Sequence, residues 1–267
     1  MDAVAIGPLV FSVERFAVLA GIAVFMAAVW WFGRRADARL QLWSGQVLIW
    51  SFVAARLGHV ARHWESFAGE PWRVLFFWQG GFWAPAGFAA AVMITGFAWW
   101  RVRGLLRPAL LSLALAMVAW QGVLALRAPL PEAGLPEQVF VTHDGGEVDL
   151  SQREGRALVL NIWASWCGPC RREMPMMAEV AQSHPGIDFV FANQREGAGV
   201  VRRYLSENAL ELDTVILDLD GALARRYAVL GLPGTLFIAP DGTVIERRIG
   251  ELSREAFERD IAQLTAP

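Results

Sequence analysis

Four long apolar runs in the first 127 residues constrain the fold of this chain more than any other feature. The runs are Phe16–Phe32, Leu40–Leu57, Phe82–Trp100 and Ala109–Leu126. A helix of about 20 apolar residues is long enough to cross a bilayer. Two of the runs end in Trp pairs, and aromatic rings favour the boundary between lipid tails and headgroups. We therefore predict an α-helical membrane domain with about four transmembrane helices, rather than core helices of a large soluble protein.

Arginines between the runs predict the orientation of these helices. The chain contains no Lys, so all 24 basic residues are Arg. The loops after the first and third runs hold three arginines each: Arg34, Arg35 and Arg39, then Arg101, Arg103 and Arg107. Short cytoplasmic loops are rich in Lys and Arg, so both loops are predicted to be cytoplasmic and both chain ends periplasmic. The first 15 residues lack a basic n-region, so we expect no cleaved signal peptide.

The second half of the chain differs in charge and in pattern. Residues 128–267 hold 13 Arg and 21 acidic residues, against 11 Arg and five acidic residues in 1–127. Three prolines in Arg127–Gln138 predict an extended linker. We therefore divide the chain into a membrane domain at 1–127, a linker at 128–138 and a second domain at 139–267. There, a strand at Ala157–Trp163 precedes alternating helices and strands and a closing hairpin, a pattern typical of an α/β sandwich.

The only two cysteines, Cys167 and Cys170, lie where that strand gives way to a predicted helix. At a helix start, unpaired N–H groups and the positive end of the dipole favour a thiolate. We expect Cys167 to be exposed and to attack a partner disulfide, and Cys170 to resolve the mixed disulfide. A zinc site needs four ligands, haem attachment needs His where Arg171 stands, and so short a disulfide loop would stabilise the fold little. Redox chemistry is therefore favoured over these alternatives.

The second half also resembles a known family, the TlpA-like branch of membrane-tethered thioredoxins, over residues 138–265. Four elements carry the resemblance: Asp144, Gly145 and Leu150 in the lead-in; Asn161 to Cys170 in N-x-W-A-x-W-C-x-P-C; Asn193 and Glu196 in N-x-x-E; and Gly231-Leu232-Pro233. The resemblance implies a thioredoxin-like fold and a protein disulfide reductase.

The resemblance further implies roles for individual residues. Cys167 and Cys170 form the redox-active pair, Glu196 handles the proton of Cys170, and Pro233 is a cis-proline facing the cysteines. Sequence position alone favours a solvated loop charge at Glu196 and a trans bond before Pro233, and the resemblance reverses both. Gly234 stands where many relatives carry Thr. Four residues support the motif: Asn161, where thioredoxin has a buried Asp, and Trp166, Gly168 and Pro169.

A segment of the membrane half, Ala55–Phe88, resembles part of the prolipoprotein diacylglyceryl transferases. It shares the R-L-G element at Arg56–Gly58 and the W-x-G-G element at Trp78–Gly81. However, Pro85 occupies the position of that family's functional His, a later R-x-G-N-F element is missing, and four spans are fewer than the family's seven. The resemblance implies a truncated, retained scaffold rather than acyl transfer.

Together these features predict a multi-pass protein of the bacterial inner membrane with a periplasmic thiol-disulfide oxidoreductase domain. We expect oxidised periplasmic proteins as substrates, a separate membrane electron donor because the membrane half has no Cys, membrane lipid as a further partner, and no nucleic acid. No cofactor beyond the cysteine pair and no metal is expected, since His59 and His63 share a helix face without a third ligand. Two alternatives stay open: a lipid- or lipoprotein-binding membrane module with the thioredoxin domain as adaptor, and a periplasmic disulfide oxidant.

Overall fold

The chain forms two compact units, a helical one over Phe11–Arg127 and an α/β one over Ala128–Pro267, to which Asp2–Val10 also belongs. The computed structural model describes residues 3–6, 9–35, 37–126, 134–152 and 155–264. Residues 127–133, which make up most of the predicted linker, lie outside the described residues, so the extended form of the linker stays a prediction. Two short paired strands that the hydropathy pattern did not indicate come first, β1 (Ala3–Ile6) and β2 (Leu9–Ser12).

The helical unit contains one long helix for each apolar run, as predicted. These are α1 (Val13–Arg35), α2 (Arg39–Arg62), α4 (Ala84–Arg101) and α5 (Leu106–Ala125), with the short α3 (Trp64–Ala68) after α2. Helix α1 packs against α5, and α2 packs against α4. Of the helices in the described residues, two are long and apolar enough to cross a membrane, Val13–Arg35 and Arg103–Ala125. The count of four spans therefore stays a prediction.

Both arginine-rich loops lie at the same end of the helical unit. One cluster of buried side chains joins the last turns of α1, the first turns of α2 and the start of α5: Phe25, Val29, Leu40, Trp43, Val47, Leu105 and Ala109. The loop that joins α1 to α2 and the loop that joins α4 to α5 both leave the unit beside this cluster. This arrangement agrees with the prediction that the two loops face the same side of a membrane.

The α/β unit is built on a five-stranded sheet in the order β7-β6-β5-β8-β9. Its strands are β5 (Ala157–Trp163), β6 (Ile187–Gln194), β7 (Thr214–Asp218), β8 (Gly234–Ile238) and β9 (Val244–Ile249). Strands β5, β6 and β7 are parallel, whereas β8 and β9 run antiparallel to their neighbours. A separate hairpin, β3 (Val139–Val141) and β4 (Glu147–Asp149), precedes the sheet. The α/β prediction is confirmed.

Helices cover both faces of this sheet. They are α6 (Gly168–Gln182), α7 (Ala198–Glu207), α8 (Ala222–Arg226) and α9 (Arg254–Leu264). Alternate residues of β5, β6, β7 and β8 enter two separate cores, one beneath α6, α7 and α9 and the other beneath α8, because neighbouring side chains of a strand point to opposite faces. The parallel strands end at one edge of the sheet, and β8 begins there. The loops that carry the predicted site residues therefore meet at this edge.

Candidate active site

The two cysteines form a disulfide at the start of α6, with 5.3 Å between their Cα atoms. Cys167 is the N-cap residue of the helix, and its Sγ accepts a hydrogen bond from the backbone N–H of Cys170 at 3.2 Å. Groups that accept such bonds satisfy the unpaired N–H donors of a helix start. The predicted position of the pair, directly after a buried strand and at a helix N-terminus, is confirmed.

Cys167 is less exposed than the sequence led us to expect. Its exposed fraction is 4%, against 0% for Cys170, so the order of exposure is right but the prediction of an exposed Cys167 is wrong for the disulfide form. A turn in which the Cys167 N–H donates to Ala164 O folds the loop back onto the core, where both sulfurs join the cluster under α6. Trp166, in contrast, is 71% exposed. An exposed aromatic ring therefore stands directly before the buried Cys167.

Pro233 lies at the same edge of the sheet as the cysteines. The Leu232–Pro233 peptide bond is cis, as the resemblance implied. Gly234 is paired with Ile162, which places Pro233 level with the end of β5, where the cysteine loop begins. Leu232 packs against the cluster that contains both sulfurs. The structure therefore brings the cis-proline loop and the cysteine pair together.

The glycine after this proline has a packing explanation. A Cβ atom added to Gly234 would lie 2.4 Å from Cγ1 of Val229, which is far inside van der Waals contact. Val229 thus fills the space that a larger residue at position 234 would need. We therefore expect Val229 to compensate for the absence of a larger side chain at position 234.

Glu196 contacts the loop that leads to Cys167. Its Oε2 accepts hydrogen bonds from the Ser165 N–H at 2.7 Å and from Asn193 Nδ2 at 2.8 Å, and its Oε1 accepts one from the Ser165 hydroxyl at 2.6 Å. The structure thus brings Glu196 to the site, but as an anchor of the segment two residues before Cys167. Its role with the proton of Cys170 stays a prediction.

A second carboxylate, Glu173, was not predicted from the sequence and is almost completely buried one helical turn after Cys170. Its Oε1 accepts a hydrogen bond from Asn161 Nδ2 at 3.1 Å, and its Oε2 accepts one from the Leu252 N–H at 3.1 Å. Asn161 Nδ2 also donates to Thr235 Oγ1 at 3.0 Å. Burial raises the pKa of Glu173 to about 8, although the hydrogen bonds from Leu252 and Asn161 oppose that rise. Both protonation states are therefore accessible near neutral pH.

A signal for Glu173 was present in the helix pattern. Cys170, Glu173, Met174 and Met177 are all buried, and residues three and four apart share a helix face. An acidic residue on that apolar face marks a buried titratable group. Asn161, where thioredoxin has its buried Asp, is hydrogen-bonded to this carboxylate, so the buried acid of this site is supplied by the helix rather than by the strand.

The described residues contain no group of three or more His, Cys, Asp or Glu side chains arranged to hold a metal ion. The rings of His59 and His63 stack with centroids 4.4 Å apart, and His63 Nδ1 lies 3.0 Å from the His59 carbonyl oxygen. This geometry fits two packed polar side chains at the end of α2.

The segment with the transferase resemblance is organised by Arg56. Its guanidinium donates to four backbone carbonyls at 2.7 to 2.9 Å, those of Arg73, Val74, Gly80 and Gly81. Pro85 lies in the first turn of α4, where a proline costs no helical hydrogen bond. These contacts give the segment a defined shape, and the transferase resemblance itself stays a prediction.

The α/β half of the chain is similar in sequence to known proteins. Residues 126–247 match the AhpC/TSA family. The thiol-disulfide oxidoreductase ResA of Bacillus cereus is 29% identical over 160 residues, which are 58% of this chain and 91% of that protein. ResA of Bacillus subtilis is 29% identical over 157 residues, 58% of this chain and 87% of that protein. A crystal structure of a thiol:disulfide interchange protein DsbE from Chlorobium tepidum is 28% identical, covers 52% of this chain and 100% of its own, and has a TM-score of 0.48. The protein is therefore a redox enzyme whose C-terminal half has an α/β fold similar to that of the AhpC/TSA family, with thiol-disulfide oxidoreductases among the proteins it resembles.

Proposed function

We propose that this protein is a membrane-tethered thiol-disulfide oxidoreductase that reduces disulfides of periplasmic proteins through its Cys-Gly-Pro-Cys dithiol. The observation that carries the proposal is the Cys167–Cys170 disulfide at the start of α6, beside the cis Pro233. The relatives named as thiol-disulfide oxidoreductases support the reaction type. The pair itself carries the electrons, so the proposed reaction needs no further cofactor.

The proposed reaction has two exchange steps. In the reduced protein, the Cys167 thiolate attacks one sulfur of a partner disulfide, which forms a mixed disulfide and releases the other partner sulfur as a thiolate. The Cys170 thiol then loses its proton and attacks Cys167 Sγ, which releases the second partner thiolate and forms the disulfide seen in the structure. Two electrons pass from the cysteine pair to the partner.

The second step requires a base for the proton of Cys170. Glu173 lies on the same buried face of α6 one turn away, and a group with a pKa near the working pH is suited to accept and return a proton. Glu196 instead binds Ser165, which leads to the cysteine loop, and Asn193. We therefore propose Glu173 as the base for Cys170 in place of the predicted Glu196, and we assign the placement of the cysteine loop to Glu196.

We also propose that the helical unit crosses the inner membrane four times, with the α/β unit in the periplasm. The two apolar helices of sufficient length and the common location of the two arginine loops support this topology. Reporter fusions after Arg39 and Arg107 should be cytoplasmic, and a fusion after Pro131 should be periplasmic. A cytoplasmic result at Pro131 would place the cysteines in a reducing compartment and overturn the proposed location. Because residues 1–127 contain no Cys, a separate membrane protein must supply the electrons.

The direction of the reaction is tested by the reduction potential of the cysteine pair. The full-length protein in detergent micelles is equilibrated with thiol buffers of known potential, and its free thiols are alkylated and counted. A value near that of thioredoxin, about −270 mV, supports a reductase, whereas a value near about −120 mV identifies an oxidant that introduces disulfides.

A further inference from the structure

One loop joins the cis-proline loop to helix α6. Residues Gly250, Glu251 and Leu252, which we call the 250–252 bracket, follow β9. The Gly250 N–H donates to the Pro233 carbonyl at 2.8 Å, and the Leu252 N–H donates to the Glu173 carboxylate at 3.1 Å. Gly250 has a φ of 97°, which a residue with a Cβ atom rarely adopts. The bracket therefore has a defined shape that ties the cis-proline loop to α6.

The middle residue of the bracket pairs with an arginine next to the cysteines. Glu251 Oε2 accepts hydrogen bonds from Arg172 Nη2 at 2.5 Å and from Arg172 Nε at 3.0 Å. The Glu251 side chain is 5% exposed, whereas Arg172 is 52% exposed. The Arg172 guanidinium also lies beside Gly168, since a Cβ atom there would be 3.6 Å from Nη1. The ion pair thus connects the exposed Arg172, beside the cysteine motif, to the buried Glu251 of the bracket.

Each member of this ion pair is one residue along the chain from a group of the Glu173 hydrogen bond. Arg172 precedes Glu173 in α6, and Glu251 precedes the residue whose N–H binds the Glu173 carboxylate. A nearby negative charge favours the protonated form of a carboxyl group, and a nearby positive charge favours the ionised form. Here the charge of Glu251 raises the pKa of Glu173, and the charge of Arg172 lowers it.

The other elements packed around Glu173 contribute neutral or remote groups. Asn161 on β5 and Thr235 on β8 carry no charge. At the start of α9, Arg254 pairs with Glu179, which lies nearly two turns further along α6. In the mixed disulfide, the Cys170 thiol on the same face of α6 is the titratable group whose proton Glu173 is proposed to accept.

We propose that Arg172 and Glu251 are a positioning pair that sets the proton affinity of Glu173, and thereby the pH at which Cys170 resolves a mixed disulfide. The inference rests on the proposed function. When Arg172 is present, the charge of Glu251 is balanced and the bracket is held with the Leu252 N–H directed at Glu173. When Arg172 is absent, the buried Glu251 charge acts on Glu173 without compensation, and Glu173 holds its proton to higher pH.

The test follows the resolving step directly. The reduced full-length protein in detergent micelles is mixed with dithiobis(nitrobenzoate) in a stopped-flow instrument between pH 5.5 and 9. Cys167 releases the first coloured thiolate and Cys170 releases the second, so the second phase reports resolution. We expect Arg172→Gln to move the midpoint of the pH profile of the second phase upward by about one pH unit or more. The double variant Arg172→Gln/Glu251→Gln should return the midpoint toward the wild-type value, because both charges are then removed.

Two further variants distinguish a failure of the positioning pair from a failure of the proposed role of Glu173. Arg171→Gln removes the same charge one residue earlier, where the guanidinium lies over the Tyr204 ring rather than on the bracket, and it should leave the midpoint in place. Glu173→Gln should remove the midpoint that Glu173 sets and leave only the pH dependence that ionisation of the Cys170 thiol imposes on the second phase. If Glu173→Gln does so but Arg172→Gln has no effect, or the effect equals that of Arg171→Gln, the positioning pair is refuted. If Glu173→Gln leaves the profile unchanged, the proposed role of Glu173 fails first.

Discussion

Replacing Glu173 by Gln should change how the stability of the α/β unit depends on pH. Burial, the largest cause, raises the pKa of Glu173 from 4.5 to about 8. Between these values the unfolded chain has released a proton that the folded protein still holds. Stability therefore falls as pH rises from about 4.5 to about 8, because the slope of the unfolding free energy follows the protons bound by the unfolded state minus those bound by the folded state.

The size of the effect follows from the same two values. Each pH unit within the window corresponds to about 1.4 kcal/mol, so the full interval sets an upper limit of about 5 kcal/mol. Between pH 5 and pH 7 the wild-type protein should lose about 2 to 3 kcal/mol of unfolding free energy through this group. Glu173→Gln removes the titration and keeps the shape of the side chain. Its Nε2 can donate to Asn161 Oδ1, a buried acceptor for which the described residues provide no partner, after an amide rotation.

The measurement uses the oxidised full-length protein in detergent micelles, because its disulfide-bonded cysteines do not titrate. Urea unfolding of the α/β unit is followed by pulse proteolysis at pH 5, 6, 7 and 8 for the wild type and for Glu173→Gln. His143 and His184 are common to both proteins, so their contributions cancel in the comparison. Parallel pH dependences for the two proteins would refute the assignment of a raised pKa to Glu173.

Three further predictions concern the cysteine pair and its surroundings. Cys170→Ala should accumulate mixed disulfides between Cys167 and partner proteins, which mass spectrometry would identify, whereas Cys167→Ala should accumulate few; equal trapping by both variants would reverse the roles of nucleophile and resolving residue. Glu196→Gln should slow exchange at every pH, because it weakens the anchor of Ser165; a flattened pH profile would instead assign the proton of Cys170 to Glu196. Gly234→Thr should destabilise the α/β unit by about 1 to 3 kcal/mol through overpacking against Val229, and Val229→Ala in the same chain should recover part of that loss in urea unfolding; no recovery would refute the compensation.

Local patterns were sufficient to predict most of the elements. The helices of the first half follow from runs of apolar residues, and β5 coincides with the predicted Ala157–Trp163. The helix start at the cysteines follows from a buried strand, a turn and a proline at the first helical turn. In each case the signal lies in residues that are neighbours along the chain, because periodicity and capping act over one or two turns.

The proton-handling centre could not be derived in the same way, since its members come from distant segments. Asn161 is 12 residues from Glu173 and 74 residues from Thr235, and the N–H that binds Glu173 comes from Leu252, 79 residues away. Which side chains meet depends on the register of β5 against β8 and on the packing of the bracket against α6, neither of which has a local signature. Cys167 likewise was expected to be exposed, but the turn onto the core buries it. The sequence by itself determined the dithiol, its position at the start of a helix and an acidic residue on the apolar face of that helix. The tertiary structure alone decided which groups bind this carboxylate and how far its pKa is raised, because desolvation and long-range hydrogen bonds arise only when the separate segments pack together.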